Sequence, residues 1–189
     1  MSEELSELDW KLRVKDLELR AYIHRKLGRK KICAFLDFDG VINVMYPAGS
    51  PQYERLVKQI AEDMNFADSE VVRRFSRLCL DYDMEVVITS SWRYSGLEYC
   101  RDYLIHAGMD TRVKIVGMTD DEFSSSREMK ITDYLFAHPG YGEFLIFDDI
   151  DMKHLSAHQM LCKPDSGYTE ALDQRARKIL ESKGYYPRG

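Results

Sequence analysis

The chain has 189 residues, 44% of them hydrophobic and 31% charged, which predicts one folded domain with a short extension that needs no disulfide or metal for stability. Asp and Glu outnumber Lys and Arg by 32 to 27, and this acidic balance argues against a protein that grips nucleic acid over its whole surface. The sequence contains no apolar run long enough for a membrane span and no signal core, and its four cysteines form no close pairs. We therefore expect a cytoplasmic protein without a membrane partner.

Residues 1–30 are predicted to form an amphipathic helical extension, with the helix itself over residues 3–27. Its leucines return at three- and four-residue spacing, charges fill the other positions, and Gly28 stands where a helix commonly ends. Three roles are open for this helix. It packs against its own domain, pairs with a second copy to form a homodimer, or binds another partner, and the first two are equally favoured.

Residues 31–189 are predicted to form a single α/β domain, because short apolar runs alternate with helical patterns. This alternation is typical of a mostly parallel, Rossmann-like sheet flanked by helices. The predicted strands are KICAFLDFDG (31–40), MEVVITSS (84–91), VKIVGM (113–118), EFLIFDD (143–149) and HQMLCK (158–163). The predicted helices lie near residues 71–79, 97–106, 129–136 and 169–182.

Acidic residues follow two of these strands: Asp37 and Asp39 the first, Asp148 and Asp149 the fourth. Ligands of such sheets bind beyond the carboxyl ends of the strands, so the four carboxylates are expected to converge there. They would repel one another without a cation. Oxygen ligands without paired His or Cys favour Mg²⁺, and all four aspartates are predicted to be metal residues.

Hydroxyl side chains at the end of the second strand complete a pattern suited to phosphoryl transfer. Asp37 is placed to attack phosphorus and form an aspartyl-phosphate, and Asp39 to act as general acid and base. Thr89 and Ser90 would donate hydrogen bonds to the transferring oxygens. The residues therefore predict a Mg²⁺-binding site that carries out phosphoryl transfer.

The segments FLDFDGVIN, VVITSSWR and FLIFDD resemble motifs I, II and IV of the haloacid dehalogenase (HAD) superfamily, and the resemblance covers about residues 31–182. Within that superfamily the sequence is most similar to the HAD domain of Swiss Army Knife RNA-repair proteins. It is similar, more distantly, to the phosphatase half of the phage polynucleotide kinase-phosphatase.

The resemblance implies a Mg²⁺-dependent phosphatase that hydrolyses phosphomonoesters. It implies a nucleophile at Asp37, a general acid and base at Asp39, a phosphate-binding hydroxyl at Thr89, and metal-binding carboxylates at Asp148 and Asp149. Asp39 also argues against dehalogenation, because the dehalogenases of the superfamily lack this second aspartate.

The family's third motif contributes a cation near the phosphate, for which the sequence offers two candidates. Arg127 matches the position of the basic residue in the repair-type relatives and is favoured, and Lys130 lies nearly one turn further along the same predicted helix.

The loop after the second strand contributes further candidates. Arg93 is a candidate for bidentate hydrogen bonding to a phosphate group, and the alternative is that it forms an ion pair on the surface of the loop. Trp92 either stacks on a nucleobase or, as we favour, packs under its own loop. The predicted substrate-binding residues are Ser90, Ser91, Arg93 and Gly40.

The sequence leaves room for a flap but not for a cap domain over the site. Residues 44–68 hold a loop and one short helical pattern, and residues 93–127 are used up by one helix and one strand. Such an open site permits RNA or DNA ends, which we expect as substrates. The alternatives are a nucleotidase or small-molecule phosphatase with the flap as its lid, and a non-catalytic interaction module that uses the N-terminal helix. A kinase P-loop motif is absent from the sequence.

Overall fold

The sheet of the computed structural model, which describes residues 5–120 and 126–188, has five parallel strands in the order β3-β2-β1-β4-β5. The central strands are almost entirely buried, as expected for a parallel sheet covered on both faces. This confirms the predicted α/β, Rossmann-like class. The strands are β1 (Lys31–Leu36), β2 (Glu85–Ile88), β3 (Lys114–Met118), β4 (Tyr141–Asp148) and β5 (Gln159–Leu161).

Strand register determines which side chains meet at the carboxyl edge of the sheet. Leu36 at the end of β1 lies opposite Ile88 of β2 and Phe147 of β4. The residues that follow these three, Asp37, Thr89 and Asp148, therefore emerge next to one another.

Helices cover both faces of the sheet. One face packs against α3, α4 and α6, and the other against α1 and α5. Two short 3-10 helices, Ser91–Ser95 and Ser156–His158, follow β2 and precede β5. Within the described residues the α-helices are α1 (Glu7–Lys26), α2 (Pro51–Asp63), α3 (Ser69–Tyr82), α4 (Leu97–His106), α5 (Arg127–Ala137) and α6 (Glu170–Ser182).

The N-terminal helix begins later than the predicted residue 3, and residues 3 and 4 lie outside the described part of the chain. Ser6 caps it through a reciprocal pair of bonds with Asp9, which satisfies backbone donors at the helix start. Trp10, Leu17 and Ala21 are buried, and the helix packs against β4 and α5. The first of its three expected roles, packing on its own domain, is therefore observed.

The insertion between β1 and α3 is as small as the sequence predicted. It consists of a loop and α2, which Ser50 caps and which begins at Pro51. No helix within the described ranges combines the length and the apolar composition that crossing a bilayer requires.

Candidate active site

Three aspartates form a compact cluster at the carboxyl edge of the sheet. Asp37 follows β1, Asp148 ends β4, and Asp149 comes next. Each offers a carboxylate oxygen that lies within 4.8 Å of those of the other two. Asp37 and Asp148 are buried and Asp149 is half-buried. The register of the parallel strands has thus brought together three of the four predicted metal residues.

Arg127, the first residue of α5, supplies the cation of this cluster. Its Nη1 contacts Asp37 Oδ2 and lies 2.8 Å from Asp148 Oδ2. Lys130 lies nearly one turn further along α5. Of the two sequence candidates, Arg127 is the one placed beside Asp37 and Asp148.

The electrostatics of the cluster fit a further cation. Burial, and then the charge of Asp37, raise the pKa of Asp148 to about 7, although Arg127 opposes the shift. Burial and Asp37 also raise the pKa of Asp149. The single positive charge of Arg127 therefore does not balance the negative charges of the three neighbouring carboxylates. A divalent ion with a preference for oxygen ligands would do so, and Asp37, Asp148 and Asp149 are the residues that would hold Mg²⁺.

The carboxylate of Asp39 lies outside this cluster, although the sequence placed Asp39 among the metal residues. The Asn43 side-chain amide donates to its Oδ1 at 2.8 Å, and the Trp92 indole N–H donates to its Oδ2 at 2.9 Å. Asp39 is exposed at the rim of the site. An exposed carboxylate next to the cluster, oriented by two neutral donors, is suited to proton exchange with a substrate.

Two residues that support Asp39 were not singled out from the sequence. Asn43 accepts a hydrogen bond of 2.7 Å from the Tyr103 hydroxyl. The Tyr103 ring stacks on Phe38 and lies 4.7 Å, centroid to centroid, from the Trp92 ring. Asn43 lies only four residues after Asp39, so its place in the site could have been predicted from the sequence. Tyr103 comes from the middle of α4, and nothing in the sequence around it indicates a role at the site.

Thr89 presents a buried hydroxyl beside the nucleophile candidate. Its backbone N–H donates to Leu36 O at 2.9 Å, which fixes it at the end of β2. Among the residues that the structure describes, none hydrogen-bonds its Oγ1. Because unpaired buried hydroxyls are uncommon in folded proteins, this atom fits a ligand oxygen, as predicted for a phosphate. Ser90 is buried and caps the following 3-10 helix through Trp92 N, whereas Ser91 is exposed.

Arg93 takes a different place from the one expected. It is buried, and its Nη1 donates to Thr89 O at 2.9 Å and to Ser90 O at 2.8 Å. These bonds hold the loop after β2 in shape, so the Nη1 of Arg93 helps to position the Thr89 backbone.

The first turn of α5 is tied to the loop that follows β4. The Glu128 carboxylate accepts hydrogen bonds from the backbone N–H of His154, at 2.7 Å, and pairs with its Nδ1, at 2.9 Å. The Trp10 ring of α1 stacks on the His154 imidazole at a centroid distance of 4.6 Å. The helix that carries Arg127 and the loop that carries Asp149 are thus joined.

Gly40 packs directly against Asp149 of the cluster, whereas the sequence analysis predicted that it would bind substrate. Its φ is +73°, a region that other residues rarely adopt. A Cβ on Gly40 would lie 2.7 Å from Asp149 Cγ. Only glycine leaves room for the Asp149 carboxylate to approach Asp37.

Replacing Gly40 with Ala is expected to displace Asp149 and to weaken Mg²⁺ binding by about tenfold or more, since misplacing a site group by about 1 Å is costly. The Mg²⁺-dependent rise in Tm measures this loss. Gly49→Ala is the matched control, because Gly49 has a similar φ of +79° with nothing within 4 Å of the added Cβ. Equal Mg²⁺ responses in the two variants would contradict the role given to Gly40.

A parallel α/β sheet with an aspartate cluster at its carboxyl edge is the architecture expected of the HAD superfamily. Residues 33–172 match the family described as HAD domain in Swiss Army Knife RNA repair proteins. The chain belongs to this family, and membership implies a hydrolase of the phosphatase type. No curated protein and no solved structure matches the chain significantly.

Proposed function

We propose that the protein is a Mg²⁺-dependent phosphatase that hydrolyses phosphomonoesters at polynucleotide ends through an aspartyl-phosphate intermediate. The observation that carries this proposal is the placement of Asp37. It stands at the end of the central strand, in contact with Arg127 and beside Asp148 and Asp149. Its carboxylate is thus surrounded by the groups that a phosphoryl transfer needs.

In the first half of the reaction, a carboxylate oxygen of Asp37 forms a bond to phosphorus and the ester P–O bond breaks. The leaving oxygen takes a proton from Asp39, which enters this step as the acid. In the second half, a water oxygen attacks phosphorus and gives its proton to Asp39. The bond between phosphorus and Asp37 then breaks, which releases inorganic phosphate and restores both residues.

The remaining groups balance charge during these steps. When bound, Mg²⁺ would neutralise the phosphate oxygens and the crowded carboxylates. Arg127 screens the attacking carboxylate of Asp37 from that of Asp148, and the Thr89 hydroxyl donates to a phosphate oxygen. Trp92 and Asn43 hold Asp39 at the rim of the site, where a leaving oxygen would depart.

Polynucleotide ends are favoured over small substrates by the surroundings of the site and by the family. The insertion after β1 is only a loop and α2, so within residues 5–120 and 126–188 no cap domain separates the edge from a large substrate. A row of aromatic rings also runs outward from Asp39. Trp92 donates to Asp39, and Tyr99, which is 48% exposed, stacks with Trp92 at a centroid distance of 6.4 Å. Exposed rings of this kind are platforms for nucleobases.

The test is phosphate release, with and without Mg²⁺, from a matched set of substrates. The set contains 3′- and 5′-phosphorylated RNA and DNA oligonucleotides, the corresponding mononucleotides and a generic aryl phosphate. We expect Mg²⁺-dependent release that is fastest from one oligonucleotide end. Faster release from mononucleotides would favour the nucleotidase alternative, and no release from any substrate would favour the interaction module.

Removal of the outer aromatic ring in Tyr99→Ala is expected to lower kcat/KM for the preferred oligonucleotide by roughly tenfold, the usual effect of losing one base-stacking contact. Hydrolysis of the aryl phosphate should stay unchanged, because that substrate does not reach Tyr99. Tyr186→Ala, at an exposed tyrosine after α6, is the control. Equal losses on both substrates would speak against a base platform.

A further inference from the structure

A groove between the C-terminal ends of α1 and α6 is lined by basic, aromatic and small residues. It has a volume of about 370 Å³, and its charged lining residues are Arg25, Lys26, Lys30 and Lys183. Two tyrosines, a serine and a glycine complete its walls, so no carboxylate of the described residues lines it. The chain as a whole carries a net charge of −5, and this groove is therefore a local exception to its acidic balance.

A second groove continues the first along the surface of α6. Its volume is about 440 Å³, Ser182 lines both grooves, and Arg175 and Lys178 are its charged residues. Within the part of the chain that the structure describes, its lining again contains no acidic residue. The exposed cations of the two grooves form a row that we call the basic track, which consists of Lys26, Lys30, Lys183, Lys178 and Arg175.

The cations of the basic track keep their charge available for a ligand. Within residues 5–120 and 126–188, no carboxylate lies within ion-pair distance of any of its four lysines. Lys26 lies over the Tyr22 ring at 5.4 Å, a contact that leaves its charge in place. Arg175 donates to the Ser156 carbonyl at 3.2 Å, which also leaves its charge uncompensated.

The negative charges close to the basic track are too few to neutralise it. Buried Glu143 is paired with Arg25 at 3.4 Å, and for this reason Arg25 is not counted in the track. The same carboxylate lies 3.1 Å from His158 Nδ1, and Lys183 acts on it only from beyond ion-pair distance. The C-terminal ends of α1 and α6 contribute about half a negative charge each, which three lysines of the track outweigh.

The basic track lies at the edge of the sheet where the strands begin. Lys30 directly precedes β1, whereas Asp37 follows it, and the six residues of β1 span about 20 Å. A group bound at the track is therefore a different one from the phosphate that would occupy the aspartate cluster.

We propose that the basic track binds the phosphate backbone of a single-stranded polynucleotide, at a distance from the aspartate cluster. A row of cations across two helix ends suits a ligand with several negative charges in series, and a polynucleotide carries one at every nucleotide. Tyr22, which is 50% exposed, adds an aromatic ring beside Lys26, and cations combined with exposed rings are typical of surfaces that bind single strands. The inference goes beyond the proposed phosphatase activity and holds whether or not the aspartate cluster hydrolyses phosphate esters.

Fluorescence anisotropy of a labelled single strand of about 20 nucleotides, titrated with the full chain, tests this inference. The strand lacks a terminal phosphate and Mg²⁺ is left out, so the proposed reaction does not contribute to the signal. We expect a dissociation constant on the order of 10 µM at about 50 mM salt. If about four phosphates are neutralised, the affinity should fall about 50-fold between about 50 and about 200 mM salt, which is a log–log slope of about −2.8.

Charge reversal locates the binding surface. Lys30→Glu and Lys183→Glu should each weaken binding of the strand at least about fivefold, and the double variant at least about 20-fold, because each change replaces a phosphate contact by repulsion. Lys15→Glu is the matched control, since it makes the same change at an exposed lysine of α1 about 16 Å along the helix from Lys26. It should change the affinity by less than about twofold.

The proposal is overturned if the wild-type chain leaves the anisotropy unchanged, if salt does not weaken binding, or if Lys15→Glu loses as much affinity as Lys30→Glu. It is also overturned if the lysines only balance the helix ends, in which case Lys30→Glu and Lys183→Glu lower Tm while the affinity keeps its wild-type value. Vesicles of anionic lipid provide the comparison. Binding to vesicles without binding to the strand would assign the track to a membrane surface instead.

Discussion

Replacement of Asp37 with Asn is expected to lower kcat/KM for phosphate release by at least about 10³-fold, the scale on which enzymes lose activity when their nucleophile is removed. The amide has almost the same shape but lacks the charge needed to attack phosphorus. Rapid acid quenching of labelled substrate should trap phosphate on the wild-type chain and none on the variant.

The same Asp37→Asn substitution should leave the fold intact and leave Tm in the absence of Mg²⁺ equal or higher. The reason is that Asp37 is one of the charges that raise the pKa of its neighbour Asp148, so its loss relieves repulsion in the buried cluster. Retained activity would remove Asp37 as nucleophile. A steep fall in Tm would instead point to a mainly structural carboxylate.

Replacement of Arg127 with Met should reduce kcat/KM by about 10²- to 10³-fold, comparable to the loss of a preorganised charge in other active sites. Its guanidinium contacts both Asp37 and Asp148, and methionine cannot separate their charges. Lys130→Met, on the same helix, is the matched control, and we expect a change within about threefold.

Stability provides a second measurement on the same pair of variants. Without Arg127, no guanidinium balances the negative charge of the aspartate cluster. We therefore expect Arg127→Met to have a lower Tm than the wild-type chain and to show a larger increase in Tm when Mg²⁺ is added. A larger loss of activity in Lys130→Met than in Arg127→Met would assign the third-motif cation to Lys130.

The sheet and the location of the site could be predicted from the sequence because both depend on local patterns. Buried parallel strands are short apolar runs, and the polar residues that follow them must meet at one edge whatever the details of packing. Asp37, Thr89 and Asp148 each come directly after the last position at which β1 pairs with its neighbours β2 and β4, so the strand register alone brought them together.

The direction of individual side chains could not be predicted in the same way, because it depends on turns and on distant residues. Asp39 lies in a turn that aims its carboxylate at Asn43 and Trp92 instead of the metal cluster. The guanidinium of Arg93 folds back onto its own loop, which its position in the sequence does not reveal. Tyr103 reaches the site from a helix far along the chain.

The choice between Arg127 and Lys130 needed the exact start of α5. Two basic residues three apart both suit one face of a helix, and only the position of the first turn decides which of them reaches the strand ends. Ser126 caps that turn, so Arg127 is its first residue and lies nearest the edge of the sheet.

The link between Glu128 and His154 connects the segments that carry two of the site's charges, Arg127 and Asp149. Since the turn bearing Arg127 and the loop after Asp149 are held together, their spacing is set when the chain folds and need not be rebuilt in each turnover. Trp10, stacked on His154, extends this connection to the N-terminal helix. The conformational entropy of these groups is therefore lost during folding. In the proposed phosphatase, α1 would thereby help to keep the reorganisation energy of the reaction low, although it contributes no group to the aspartate cluster.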